Sequence, residues 1–352
     1  MENLNSRVSL KQRNSSFELL RIIVMFFILL LHANFKTFEA PGDFSIVAVS
    51  RSLLEAISLV SVNIFILISG YFGIDFKVKK VFYLLFLCFF AVVPVSGVLY
   101  FMGYCSDYSL MGLLSSFDFI GAYWFILAYL VLLAFSPVLN QFVSTIVVNC
   151  AGGGKAVFIR SLIKYLLPIY LLVGLLGQMP HYIGIEAHGG YSAIWFLFLY
   201  IVGRYLYYGG VKLWSTKGMI LVLAVCLCCE AFVLLVLGFR GANYNNPFIL
   251  ISSISIFLFF AKFHFYNKVV NTIASSAIMV YLINDHPVLS RLFHDQLISL
   301  YESNGMLMFC LLALGVIFCW YSVAIIYDQL RSLFWKMLSS FFYRGTCNKS
   351  GE

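Results

Sequence analysis

Three ionisable side chains, Glu18, Arg21 and His32, interrupt the apolar segment FELLRIIVMFFILLLHANF at residues 17–35. An arginine suits the binding of an anionic group such as a phosphate. A histidine, which titrates near neutral pH, can take a proton from a hydroxyl. Over eleven residues, an α-helix completes three turns to within about 20° and rises roughly 16 Å. The spacing therefore predicts that Arg21 and His32 lie at opposite ends of one stripe on a helix.

Glu18 precedes Arg21 by three residues, so the two side chains are predicted to form an ion pair on the helix surface. A charge at the centre of a bilayer costs about 2.5–3.5 kcal/mol on insertion scales, and ionisable residues within a membrane helix therefore favour a functional role. The alternative is structural. In that interpretation Arg21 extends to the membrane interface and His32 is hydrogen-bonded between helices.

The composition of the whole chain is typical of a membrane protein, so this segment is predicted to be a membrane helix. Hydrophobic residues make up 62% of the 352 residues and charged residues 11%, against roughly 45–50% and 25% in soluble domains. Apolar runs of about 20 residues recur along the chain and predict an all-α bundle of about ten transmembrane helices. These runs lie near residues 17–38, 53–74, 81–102, 119–139, 162–179, 193–209, 218–238, 247–263, 272–290 and 306–328.

The basic residues predict the orientation of the bundle. Eighteen lysines and arginines fall on the side that holds both termini, and four, Lys36, Arg51, Arg240 and Arg291, fall on the opposite side. Since cytoplasmic loops are enriched in basic residues, both termini are predicted to be cytoplasmic. The net charge of +8 is thereby explained by topology, and no nucleic-acid partner is expected.

The domain organisation predicted from these runs is simple. A cytoplasmic segment at 1–16 precedes one transmembrane domain at 17–330, and a cytoplasmic tail follows at 331–352. Most of the nine cysteines lie within apolar runs and are interpreted as packing residues. Cys226 and Cys229 form a C-x-x-C pair, but nothing accompanies it at ligand spacing, so no metal site is predicted.

Further polar and aromatic residues are candidates with two interpretations each. Trp124 is either an interface aromatic or part of a substrate site. Glu230 lies midway along an apolar run and needs a partner, for which His32 is one possibility and a structural pair another. Asp285 and His286 either cap a helix or line an entrance from outside. Glu55 and the segment HYIGIEAHGGY at 181–191 are candidates for the same entrance.

Four motifs, in order, resemble the membrane acyltransferase family 3. The first is Glu18-x-x-Arg21 followed after ten residues by His32. The second is NIFILISGYFGIDFKVKK, which contains Ser69 in a Ser-Gly-Tyr pattern before a basic loop. The third is the pair of Trp-Phe helices GAYWFILAYLVLLAFSPVLN and SAIWFLFLYIVGRYL. The last is TIASSAIMVYLINDHPVLSRLF.

Two positions depart from the family pattern. Lys77 and Lys80 stand where the family has paired arginines, which keeps the charge but loses the planar fork that binds an anion through two hydrogen bonds. Asn284 stands where the family has a histidine, and His286 and Pro287 follow two residues later.

The resemblance implies transfer of an acyl group, usually acetyl, from cytoplasmic acetyl-CoA to a hydroxyl of a cell-surface or exported glycan. The donor is a substrate, and no bound cofactor is expected. Arg21, Ser69, Lys77 and Lys80 would bind the donor, and His32 would be the base or the acyl carrier. Glu18, Trp124, Glu230, Asp285 and His286 would support these residues or face the acceptor. The expected location is a bacterial cytoplasmic membrane, with the helices surrounded by lipid.

Three other classes of protein agree less well with the sequence. A transporter or a flippase for a lipid-linked glycan would have broken helices at matching positions of two halves, and Gly174, Gly177 and Pro180 have no such counterpart. A polysaccharide polymerase would be expected to carry a large outer loop rich in arginine. A membrane scaffold offers no reason for the alignment of Arg21 with His32.

Overall fold

The computed structural model describes residues 13–104, 123–148, 154–175, 188–209 and 215–347. The regular structure of these ranges is helical, without a strand. The helices are α1 (Ser15–Ala33), α2 (Ile46–Phe72), α3 (Val78–Phe101), α4 (Trp124–Val148), α5 (Gly154–Tyr170), α6 (Ala193–Gly209), α7 (Thr216–Leu237), α8 (Pro247–Phe260), α9 (Lys268–Ser275), α10 (Ala277–Asn284), α11 (Pro287–Ser303) and α12 (Met306–Cys347). The all-α expectation is confirmed.

Six of these helices, α1, α2, α3, α4, α7 and α12, are long and apolar enough to cross a membrane. Four shorter apolar helical segments accompany them, at Ile163–Gly174, Ala193–Tyr208, Pro247–Phe260 and Lys268–Asn284. The last of these segments comprises α9 and α10. The chain is therefore a multi-pass membrane protein. Ten crossings, the cytoplasmic placement of both termini and the division at 16 and 330 stay predictions.

The N-terminus of α1 is fixed by side chains of the first turn. Asn14 accepts a hydrogen bond from the backbone N–H of Ser16, which is the usual role of an asparagine at an N-cap. The Ser15 hydroxyl donates to Asn271 Oδ1 of α9 over 2.8 Å. Both contacts set the direction of α1 as it passes α2 and α10.

Two glycines allow α2 and α6 to pack backbone to backbone. A Cβ atom on Gly70 would lie 2.4 Å from the Tyr200 carbonyl oxygen, and one on Gly203 would lie 2.5 Å from the Leu67 carbonyl oxygen. No side chain fits at such distances, so the contact requires small residues, as in many membrane helix pairs. Gly70, the glycine of the Ser-Gly-Tyr pattern, thus has a packing role between α2 and α6.

The predicted helix at 272–290 is wrong in its length, because the chain breaks twice there. The first break separates α9 from α10 at Ser276, and the second separates α10 from α11 at Asp285 and His286. Proline disfavours helical geometry at the residue before it and fits well at the first position of a new helix. Pro287 accordingly begins α11, and His286 becomes its N-cap, with the side chain accepting from Val288 and Leu289.

Candidate active site

A cavity of about 380 Å³ lies beside α1. Met25, Ile28 and His32 line it from α1, and Ser61 and Phe65 line it from α2. Met25 and Ile28 follow Arg21 at four and seven residues, so they share its face of the helix. The part of the predicted stripe from Met25 to His32 thus forms one wall of the cavity, and Arg21 lies beyond it.

His32 is buried, with 9% of its surface exposed, and it contacts the end of α10. Its Nδ1 lies 2.5 Å from Nδ2 of Asn284, which is 3% exposed. Oδ1 of Asn284 has no hydrogen-bond partner among the described residues. Because Asn284 occupies one ring nitrogen, Nε2 is the nitrogen that His32 has available for a ligand.

Lys36 and Asp285 form the rim of the cavity. Nζ of Lys36 donates to Oδ1 of Asp285 over 3.0 Å, and both residues line the cavity. His294, on α11, contacts Thr37 next to this pair. Burial of its imidazole lowers the pKa of His294 below the ordinary value, and the positive charge of Lys36 acts in the same direction.

Glu55 braces the C-terminal end of α1 and is not among the residues that line the cavity. Its Oε2 accepts from Nδ2 of Asn34 over 2.8 Å, and the Asn34 Oδ1 accepts from Nε of Arg51 over 3.0 Å. Glu55 is 1% exposed. The sequence proposal that Glu55 lines an entrance is therefore replaced by a structural role that joins α1 to α2.

Three aromatic side chains, Trp124, Tyr191 and Tyr244, form what we call the aromatic wall of the cavity. The ring centroids of Trp124 and Tyr191 are 4.8 Å apart, and those of Tyr191 and Tyr244 are 4.6 Å apart. Trp124 was a candidate from the sequence, and so was Tyr191 as the last residue of the segment HYIGIEAHGGY, whereas Tyr244 was not. Residues 181–187 of the candidate segment HYIGIEAHGGY lie outside the described residues.

Phe65 and Phe125 form the floor of the cavity, with ring centroids 6.4 Å apart. Beneath Phe125 the ring of Tyr129 stacks at 6.1 Å, and the Tyr129 hydroxyl lies 3.5 Å from Oγ of Ser69. Arg21 is near enough to act electrostatically on Tyr129. Ser69 and Arg21 therefore lie on the far side of the floor from His32.

Arg21 forms the ion pair with Glu18 that the spacing predicted, through Nη1. Nε of Arg13 donates to the same Glu18 oxygen over 2.7 Å. The side chain of Glu18 is 4% exposed and that of Arg21 is 24% exposed. The carboxylate is thus buried and holds two cations, while the guanidinium of Arg21 remains partly open to a ligand.

Lys77 and Lys80 lie at the start of α3, and both are exposed. Nζ of Lys80 donates to the Asp75 carbonyl oxygen over 2.9 Å. Arg204, which the sequence reasoning missed, lies against the same connection, because Cβ on Gly73 would meet its Nη1 at 2.8 Å. The end of α6 therefore adds an arginine to the lysines at the connection between α2 and α3.

Two candidates from the sequence lie away from the cavity. Glu230 is fully buried in α7 and neither carboxylate oxygen has a hydrogen-bond partner within the described ranges, so the suggested pair with His32 is not formed. His286 caps α11, and its Nε2 lies 3.1 Å from Oγ of Ser96. The capping interpretation of His286 is confirmed. Asp285, its neighbour, lines the cavity instead.

The described residues contain no cluster of three or more His, Cys, Asp or Glu side chains that could hold a metal ion. The site consists of one buried histidine, an arginine on the same helix face, and a cavity between several apolar helices of membrane-spanning length. Such an arrangement defines a multi-pass membrane protein with an internal site for polar chemistry.

The chain belongs to acyltransferase family 3: the family model, described as an acyltransferase domain, matches residues 14–325. The match covers nearly the whole chain and includes α1 to α11 and half of α12. The protein is thus a membrane acyltransferase, as the motifs around Arg21 and His32 predicted. Searches of curated proteins and of solved structures returned no significant match.

Proposed function

We propose that this protein transfers an acetyl group from cytoplasmic acetyl-CoA to a hydroxyl of a glycan at the outer face of a bacterial cytoplasmic membrane. The observation that supports this proposal best is the position of His32. This histidine lines a cavity with a polar rim and an aromatic wall, and the same helix face leads from it to Arg21.

The donor would bind at the N-terminal end of α1. Coenzyme A carries phosphates, which suit the partly open guanidinium of Arg21 and the exposed ammonium groups of Lys77 and Lys80. The rise of roughly 16 Å from Arg21 to His32 suits the extended pantetheine arm, which would pass Ser69 and the floor of the cavity. The thioester would then lie next to His32.

His32 would act as the general base at Nε2. It takes the proton of the acceptor hydroxyl while the hydroxyl oxygen forms a bond to the thioester carbonyl carbon. The carbon–sulfur bond then breaks, and the proton on Nε2 passes to the departing thiolate. The products are an acetyl ester and the free thiol of coenzyme A, so no proton is gained or lost. The covalent alternative is acetylation of His32 itself, followed by attack of the hydroxyl.

The acceptor would enter at the C-terminal end of α1. Tyrosine and tryptophan combine an apolar face with a polar edge, which suits a sugar ring that has both. The aromatic wall supplies such faces, and Lys36 and Asp285 supply a donor and an acceptor of hydrogen bonds at the rim. Most ligand cavities combine an apolar lining with a few such polar groups.

The test is incubation of membranes that contain the protein with acetyl-CoA labelled in the acetyl group. We expect alkali-labile label in the glycan fraction and an equal amount of free coenzyme A. A brief reaction without acceptor, followed by denaturation, separates the two routes, because label on the protein at His32 would indicate the covalent one. Membranes that release no coenzyme A and label no glycan would overturn the proposal.

A further inference from the structure

The contact between His32 and Asn284 determines which proton state the histidine can present to the cavity. A neutral imidazole carries its proton on either Nδ1 or Nε2, and the hydrogen bond at one nitrogen selects the state of the other. Nδ1 of His32 is the nitrogen that contacts Asn284, at 2.5 Å. The other nitrogen, Nε2, can act as a base only when the proton is on Nδ1.

An asparagine amide can meet Nδ1 in two orientations. With Nδ2 toward the ring the amide donates, so Nε2 carries the proton and cannot accept another. With Oδ1 toward the ring the amide accepts the Nδ1 proton, and Nε2 presents its lone pair. The oxygen and nitrogen of an amide are distinguished by their hydrogen bonds. In the structure Nδ2 faces His32, and Oδ1 has no partner among the described residues. Rotation of the amide group by 180° would therefore break no hydrogen bond to Oδ1.

The position of Asn284 in the fold suits a residue that must hold a ring in place. It is the last residue of α10, directly before the break that separates α10 from α11. The same stretch is tied down by Tyr123, whose hydroxyl donates to the Leu282 carbonyl over 2.9 Å. Asp285, the next residue, pairs with Lys36 of the α1 side. The chain on both sides of Asn284 is thus held next to the end of α1.

We infer that Asn284 is the positioning residue of His32: its Oδ1 accepts the Nδ1 proton, so that Nε2 faces the cavity as a base. This assignment rests on the proposed function. When Nε2 takes the proton of the acceptor hydroxyl, the ring becomes an imidazolium with two N–H groups, and Oδ1 keeps the inner one hydrogen-bonded. A buried donor without a partner would oppose that step. The proton on Nε2 then passes to the thiolate of coenzyme A.

The direct test is nitrogen NMR of the purified protein in detergent micelles, with its histidines labelled in the ring with nitrogen-15. The His32 signals are assigned by their loss in His32→Gln. We expect Nδ1 to be protonated and Nε2 unprotonated in the wild type at neutral pH, and Asn284→Leu to show a mixture of both tautomers. A wild-type His32 with its proton on Nε2, or an unchanged tautomer in Asn284→Leu, would overturn the assignment.

Asn284→Asp gives a second, functional readout and keeps the size of the side chain. A carboxylate at this position stabilises the doubly protonated ring, so the acid limb of the pH dependence of coenzyme A release from acetyl-CoA should move to higher pH by about one unit or more. The other charged or titratable groups that act on His32, which are Lys36, Asp285 and His294, are the same in both proteins. An acid limb at the wild-type position in a folded Asn284→Asp protein would contradict the positioning role.

Asn284→Leu should lower the rate of coenzyme A release by about 10- to 100-fold, because a hydrogen bond to a charged group is lost. The NMR result does not depend on transfer. If Nδ1 carries the proton but no acetyl group moves, the proposed function fails and the tautomer assignment stands. If acetyl is transferred while Nε2 carries the proton, the positioning role alone fails.

Discussion

The two ends of α1 are built in different ways. At the N-terminal end, Arg21 and Arg13 surround the buried carboxylate of Glu18, and all three residues lie within nine positions of one another. At the C-terminal end, His32 contacts Asn284, which lies 252 positions away. The first end is a local charge cluster, and the second is assembled by tertiary structure. Under the proposed function, donor binding would depend on the charge cluster, and the chemistry would depend on how α10 packs against α1.

The largest effect is expected at the C-terminal end. His32→Ala should reduce acetyl transfer by about 10²–10⁴, the usual loss when a general base is removed. The measurement is the initial rate with labelled acetyl-CoA, together with the thermal stability in detergent.

His286→Asn is the matched control for that variant, because His286 is also buried but caps α11 outside the cavity, and asparagine is a good N-cap. It should retain transfer. Wild-type rates in a folded His32→Ala protein would reduce His32 to a packing residue.

The second effect is expected at the N-terminal end. Arg21→Lys keeps the positive charge beside Glu18 but loses the planar fork, so the KM for acetyl-CoA should rise by about tenfold or more. Steady-state kinetics with varied acetyl-CoA measure this.

Arg13→Lys supplies the control for Arg21, since Arg13 donates to the same oxygen of Glu18 but is 54% exposed. Its KM for acetyl-CoA should equal that of the wild type. If both lysine variants behave alike, Arg21 serves the ion pair and does not contact the donor.

A smaller effect should distinguish the binding site of the acceptor from that of the donor. Trp124→Ala removes one face of the aromatic wall, so the KM for the glycan acceptor should rise by about 3- to 10-fold. The KM for acetyl-CoA should stay the same. Trp195→Phe is the comparison, because Trp195 is fully buried and its Nε1 donates to Asn63 in the α2–α6 contact. A change in the donor KM alone would place the acceptor elsewhere.

The smallest effect concerns the exposed lysines of the loop before α3. Replacing Lys77 and Lys80 together by glutamine should weaken acetyl-CoA binding by about two- to fivefold at low salt, because exposed ion pairs contribute little and are screened. The difference should shrink at high salt. Equal affinities at low salt would mean that the two lysines serve membrane orientation only.

The sequence was sufficient to predict those contacts of the candidate site that are local in the chain. The pairing of Glu18 with Arg21 follows from a spacing of three residues, and the alignment of Arg21 with His32 follows from helix geometry. The end of α10 was also predictable in principle, because Pro287 disfavours a helix through His286. The continuous helix predicted over 272–290 overlooked that signal.

The contacts of the C-terminal end could not be predicted in this way. Nothing in the spacing of Asn284, Tyr191 or Tyr244 indicates that they meet His32 or Trp124. The first contact arises only when α10 packs beside α1, and the other two arise only when the segments before α6 and α8 pack beside Trp124 of α4. For Glu230, the sequence predicted a contact that the described part of the structure does not contain. A carboxyl group in an apolar run predicts a nearby partner, yet its oxygens have none within the described residues.

The central claim is that α1 joins a cytoplasmic donor site to an outer acceptor site through His32. Sealed membrane vesicles of opposite orientation, prepared from the native host, test it most directly, since acetyl-CoA does not cross the bilayer. Labelled acetyl-CoA added outside inside-out vesicles should yield alkali-labile glycan label in their lumen, and His32→Ala vesicles should yield almost none. Label formed only in right-side-out vesicles, or equally with His32→Ala, would contradict the account.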